Sequence, residues 1–178
     1  VLPAIEAGLL IGLTLTTPKK EPQHTPARRI AAMAMIVLTS IANAASLVLL
    51  VDYLLKGGKA GGEELLYAAL NIFLTNIIVF ALWYWELDGG GPSKRHMLPK
   101  DRPDFFFPQY DCPPQVSDPD WRPTFIDFFY VSTTNATAFS PTDTLPLTHQ
   151  AKLLMLVQAL ISLMTIALVA ARAVNILQ

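Results

Sequence analysis

The 178-residue chain is 52% hydrophobic and 15% charged, with a net charge of −1 and a mean hydropathy of +0.40. An ordinary soluble domain is about one quarter charged, so the composition favours lipid over water as the surrounding medium. The near-neutral balance leaves no basic face for nucleic acid, and the lone cysteine, Cys112, excludes an internal disulfide framework or a cysteine-cluster zinc site.

A hydrocarbon layer about 30 Å thick requires roughly 20 apolar residues in a helix. Residues 2–17 are apolar apart from Glu6 and stop at Pro18. That is short for a span, and with Val1 first the sequence is read as beginning inside its first helix, which puts Glu6 near an interface. Lys19, Lys20, Arg28 and Arg29 mark a solvated loop over 18–29. A second span covers 30–55 and is stopped by Gly57 and Gly58. Its Ala32, Ala34, Ser40, Ala42, Ala44, Ala45 and Ser46 are small enough to let helix backbones approach, so this helix is expected to pack on protein. A third span, 64–85, ends on Trp83, Tyr84 and Trp85, which suit the membrane interface. Glu86, Asp88 and the run Gly89–Gly91 then terminate it. Asn43, Asn71 and Asn76 are expected to join helices rather than to hold a ligand.

Residues 89–122 are rich in Pro, Asp, Lys and Arg and too few for a separate core, so a surface loop is expected. Phe105, Phe106 and Phe107 within it suit either the interface or packing on the helices. Asp111, Asp118 and Asp120 read as a solvated acidic loop, and His24, His96 and His149 lack metal-ligand spacing. No metal and no cofactor are expected. The last span is 150–177, with Arg172 reaching back to the interface.

Between loop and last span, 123–143 has a short apolar part and a polar Ser/Thr/Asn tail. Pro123 suits a first helical turn, and Asp127 sits near the positive end of the helix dipole. The segment is too short and too polar to cross lipid alone, and irregular backbone at membrane depth survives only inside protein or along a hydrated cavity. A short helix, a polar stretch and a full span form a re-entrant pattern. The hydroxyls and amide of Ser132, Thr133, Thr134, Asn135, Thr137, Ser140 and Thr142 could replace part of an ion's hydration shell. They could equally cap the short helix and bond its backbone. Asp127 and Asp143 fit mouth carboxylates that concentrate cations, or else a helix-dipole partner and a turn residue. Asn135-Ala136-Thr137 matches a glycosylation sequon, but at membrane depth modification is not expected.

Over 125–177 this order resembles the pore module of the tetrameric potassium-channel superfamily. Phe129-Tyr130-Val131-Ser132 is similar to the aromatic pore helix. Thr137-Ala138-Phe139-Ser140-Pro141-Thr142-Asp143 stands where that family has its Thr-Thr-Val-Gly-Tyr-Gly-Asp filter. Asp143-Thr144-Leu145-Pro146 resembles the Asp-x-x-Pro exit, and Lys152-Leu153 the start of the inner helix. The resemblance implies a homo-oligomer, by analogy a tetramer, around an axial path for inorganic ions. The chain as a whole also resembles a bacterial family of multi-pass membrane proteins, through Phe80–Asp88 and Thr134–Pro141; that likeness implies no activity. The filter position departs from the pattern. Ser140 and Thr142 replace glycines that let successive carbonyls face the ion, and Pro141 fixes its own φ between them. The last helix also lacks a glycine hinge. Potassium selectivity is therefore not expected.

The basic loops 18–29 and 89–122 fall on one side, and the positive-inside rule makes that side cytoplasmic. A pore loop entering from there would have the inverted sense of glutamate-receptor channels. No nucleophile elbow, phosphate loop, HExxH or paired cysteine motif is present, so no enzyme is expected. The expected fold is an all-α membrane protein, one transmembrane domain over 1–178, with about four transmembrane helices and a short re-entrant pore-type helix. Its expected setting is the cell membrane, with the lipid bilayer as its medium. The functional expectation is an ion-channel-like pore. A non-conducting membrane subunit and a small transporter are the alternatives, the last without the paired broken helices of that class.

Overall fold

The computed structural model describes residues 26–58, 61–97, 103–114, 118, 120–137 and 143–176. The expected first span, 2–17, lies outside them, as do Ala138, Phe139, Ser140, Pro141 and Thr142.

Helix α1 spans Pro26–Leu55 and α2 spans Gly62–Leu87. A 3-10 turn, Asp88–Gly90, leads into the short α3, Pro92–Met97. Strand β1 is Phe105–Phe106, and a second 3-10 turn covers Pro108–Tyr110. Helix α4 is Phe125–Ala136, strand β2 is Leu145–Pro146, and α5 is His149–Ile176. Three helical stretches, Arg29–Leu55, Gly62–Gly90 and His149–Ala171, are long and apolar enough to cross a membrane.

Helix α2 is the central element, packing against α1, α4 and α5. Helix α1 buries Ile36, Asn43 and Leu47 on one face, the spacing of a helix seam. Helix α5 buries Ala151, Gln158, Ser162 and Thr165 in the same register. Their outer faces carry Leu38, Ile41, Val48 and Leu49 on α1 and Leu153, Leu156, Leu160 and Leu163 on α5, all exposed. So much bare aliphatic surface would be unstable in water and suits lipid or further protein. Ala42, Ala44, Ala45 and Ser46, expected to pack on protein, are exposed within the chain.

Two small features tie the loops to one end of the bundle. Strands β1 and β2 pair antiparallel, Phe105 with Pro146 and Phe106 with Leu145, so the element set is not purely helical. The segment expected as a surface loop also enters the core. Phe105 and Phe107 are buried beside Phe80, Tyr84, Phe128 and Val131. Phe107 stands edge-on to Phe128, with ring centroids 5.4 Å apart, a favoured aromatic geometry. Apolar side chains in a polar loop found cover here because the loop folds back onto the helix ends.

Candidate functional site

The short helix α4 begins with Thr124 outside it and Asp127 in its first turn. Asp127 Oδ2 accepts hydrogen bonds from the Thr124 backbone N–H at 2.6 Å and the Thr124 hydroxyl at 2.8 Å. The first is a capping contact that holds an otherwise unmatched backbone donor at the helix start, and the second braces the two side chains. Asp127 is thereby engaged at the helix terminus. Asp143 is exposed, immediately before the return to β2.

The polar tail of α4 divides into two groups. Thr133 Oγ1 donates to Phe129 O at 2.8 Å, Thr134 Oγ1 to Tyr130 O at 2.9 Å, and Thr137 Oγ1 to Thr133 O at 2.9 Å. These hydroxyls return to their own helix, the usual outcome for threonine in an apolar setting. Ser132 and Asn135 instead reach neighbouring helices. Ser132 Oγ donates to Ile77 O of α2 at 2.6 Å, and Asn135 Nδ2 donates to Met155 O of α5 at 2.9 Å.

Gln158 of α5 joins these side chains. Its Oε1 accepts the Tyr84 hydroxyl at 2.6 Å and Asn135 Nδ2 at 2.9 Å. Its Nε2 donates to Ser132 O at 2.9 Å and to Ser132 Oγ at 2.6 Å. One turn further, Asn76 Nδ2 donates to Ser162 Oγ at 2.9 Å and to Gln158 O at 3.3 Å, while Asn76 Oδ1 is buried without a donor. Ser132, Asn76 and Gln158 are all fully buried. Asn76 thus joins helices as expected, whereas Asn71 is exposed.

The contacts also set levels along α2. Phe128 stacks edge-on against Trp85 near the end of α2, with centroids 5.8 Å apart, and Ser132 meets Ile77. At ~1.5 Å per residue, Ile77 lies about 15 Å inward from Leu87, and α4 is about 18 Å long against about 39 Å for α2. Helix α4 therefore runs from one end of α2 to roughly its middle.

A second polar cluster sits at that same end. Asp88 Oδ2 lies 3.1 Å from Arg95 Nε, and both side chains are almost completely buried. The contact is an ion pair without hydrogen-bond alignment, which leaves that oxygen with no hydrogen-bond donor. Asp88 Oδ1 accepts the backbone N–H groups of Asp104 at 2.9 Å and Phe105 at 3.0 Å. Arg95 donates to Pro123 O and Trp85 O, and its guanidinium lies 4.7 Å from the ring centroids of both Trp85 and Phe128. Burial pulls the Arg95 guanidinium down from its ordinary value while the Asp88 carboxylate opposes this. An arginine so placed stays a cation. Asp104 continues the cluster, accepting Gly89 N–H at 3.0 Å and the Thr148 hydroxyl at 2.7 Å. Gly89 and Gly91 have φ of 59° and 101°, and a Cβ on Gly91 would meet Glu86 O at 2.9 Å. Only glycine makes this turn without strain.

No family model, curated protein or solved structure matches the chain.

Among the expected residues, Ser132 and Asn135 are brought together with α2 and α5, Thr133, Thr134 and Thr137 line their own helix, and Ala138–Thr142 lie outside the described residues. Gln158, Ser162, Arg95 and Asp104 carry no role in the sequence reading, and Asp88 figures there only as a helix terminator. The signal for the first two is visible afterwards: Gln158, Ser162 and Thr165 follow a seam spacing inside an otherwise apolar helix. No group of His, Cys, Asp or Glu among the described residues has a metal-binding arrangement.

Proposed function

We propose that the chain is an integral membrane protein in which segment 123–143 is a re-entrant loop, and that it acts as a pore-forming subunit for inorganic cations without a potassium-selective filter. One observation carries this reading: α4 ends near the middle of the central apolar helix, with Ser132 against Ile77. A helix C-terminus carries partial negative charge from its unmatched carbonyls, which favours a cation at that depth. Both flanks of the segment meet one end of the bundle, Pro123 through Arg95 and Thr148 through Asp104, as a re-entrant loop requires. Asp143, on the return limb, would add negative charge at the mouth.

Arg29 Nη2 approaches Glu86 O at 3.5 Å, which brings the end of the first basic loop beside the start of the second at that same end. By the charge rule that end is cytoplasmic and the mouth opens there. Assembly as a homo-oligomer, by analogy a tetramer, follows from the resemblance to the potassium-channel pore module. The test is cation flux in proteoliposomes, together with imaging of the purified protein in nanodiscs. A ring with Thr133–Asp143 around a hydrated axis, and flux that needs the protein, is the expected result. A monomer with Thr134 and Thr137 away from any axis, or liposomes that stay tight, would sink it.

A second reading, a non-conducting membrane subunit, is favoured by the way Ser132 and Asn135 are engaged within the chain. It requires an occluded centre and no flux.

A further inference from the structure

Gln158 is a fully buried amide in a helix otherwise suited to lipid. A primary amide has two acceptor sites and two donor hydrogens. Four contacts match them. Oε1 accepts from Tyr84 and Asn135, and Nε2 donates to Ser132 O and Ser132 Oγ. The match fixes the orientation, because rotating the amide would set its NH2 against the NH2 of Asn135. Ser132 Oγ in turn donates to Ile77 O, and the Gln158 backbone carbonyl accepts Asn76 Nδ2. One side chain thereby locks α2, α4 and α5 together, a turn before α4 ends at Ala136.

Packing alone would not require this. A leucine would fill the volume, and in lipid the apolar choice is the default. What the amide adds is a fixed height and rotation for the last turn of α4. In that turn Thr133 O accepts both the Thr137 N–H and its hydroxyl.

We propose that Gln158 is the positioning residue that sets where α4 ends, and with it the point at which the negative end of that helix meets the ion path. The proposal rests on the re-entrant pore reading. Ser132, Asn135 and Tyr84 are its intermediaries, and Gln158 itself need not touch an ion.

The test uses the full chain in liposomes, with Cys112→Ser and Thr137→Cys as a reporter of the end of α4. The rate at which a small water-soluble thiol reagent modifies the reporter is compared for Gln158, Gln158→Leu and Gln158→Glu, from acid to alkaline pH. Each rate is divided by that of the Gln158 protein at the same pH. Tyr84 is the titratable group among the described residues that touches Gln158, and it is common to all three proteins.

The leucine variant is expected to change the rate by about tenfold, the scale set by stranding buried hydrogen-bond partners. The glutamate variant is expected to follow glutamine in acid, where a neutral carboxyl keeps an O–H for Ser132 and an acceptor for Tyr84. In alkali it is expected to follow leucine, since a carboxylate has no donor. Rates that agree within about twofold throughout, a difference of a few tenths of a kcal/mol, overturn the proposal. So does a glutamate variant with no pH-dependent departure. If the leucine variant fails to fold, the acid-to-alkali comparison on one folded glutamate sample decides alone. Cation flux is read in parallel. Tight wild-type liposomes would overturn the pore reading, while the reporter rates still judge the position of α4.

Discussion

Arg95 stands between two aromatic rings, 4.7 Å from the centroids of both Trp85 and Phe128, with Asp88 Oδ2 3.1 Å from its Nε. This cation joins the end of α2, the start of α4 and the connecting loop. Removing one partner of a buried ion pair leaves the other uncompensated, at a cost of about 3–5 kcal/mol. Asp88→Asn and Arg95→Met should therefore each lower thermal stability strongly in detergent. The double variant should lose less than the two single losses added together. Arg95→Lys should not rescue, because an ammonium cannot hold the planar contacts with both rings. Additive losses in the double variant would mean the pair is not coupled.

Ser132 and Thr133 are neighbours with different partners, and they should respond differently. Ser132→Ala takes a second partner from Ile77 O, which keeps its helical N–H, and strands one donor of Gln158, and should cost about 1–3 kcal/mol. Thr133→Val removes only a bond to its own helix and should stay within about 0.5 kcal/mol. Under the pore reading the same Thr133→Val alters flux without altering stability. Thermal shift and flux measured on one preparation separate the two effects.

Phe128 is fully buried among Trp85, Phe105, Phe107 and Arg95, whereas the adjacent Phe129 is exposed. Phe128→Ala should cost about 3–5 kcal/mol through the cavity it leaves. Phe129→Ala should cost far less unless a second copy covers that face. A large loss at Phe129 in the assembled protein, absent in the monomer, would identify it as a subunit contact.

Burial pushes the Tyr110 hydroxyl up to about 12, from an ordinary 10.0. A raised pKa means the unfolded chain releases its proton first. The stability Tyr110 contributes is therefore complete below the ordinary value and is lost as pH climbs through the folded one. Tyr110→Phe should unfold with a shallower alkaline decline than wild type over that window. Parallel curves for the two proteins would show that the phenol is not protected by the fold.

The three long apolar helices were legible because a membrane span advertises itself by length and composition. The start of α4 was legible in part: Asp127 lies in the first turn as expected, whereas Pro123, expected in that turn, precedes the Thr124 N-cap, and the helix begins at Phe125. Sequence could not place Asp88 and Arg95. Charged residues beside glycines at the end of an apolar run normally face water, and only the folded loop supplies their cover. Phe105 and Phe107 were read as suiting the interface or packing on the helices, and the choice between them rests on contacts such as the pairing of Phe105 with Pro146, residues far apart in the chain. Gln158 was overlooked for the opposite reason. A single amide within α5 scarcely alters the hydropathy of the helix, and its weight comes entirely from partners on α2 and α4.

That division of partners has a consequence for how the chain is made. Ser132 and Asn135 are synthesised before α5, yet α5 carries both acceptors of the Asn135 amide and the donor that reaches Ser132. Under the re-entrant reading, a nascent chain that has not yet delivered Gln158 to the bilayer would hold α4 with polar atoms unmatched, in a solvent that offers none. On that reading α4 would settle together with α5 as a hairpin, with the pairing of β1 and β2 fastening it from outside. Ribosome-stalled intermediates should show α4 open to protease until α5 has emerged, and closed soon afterwards.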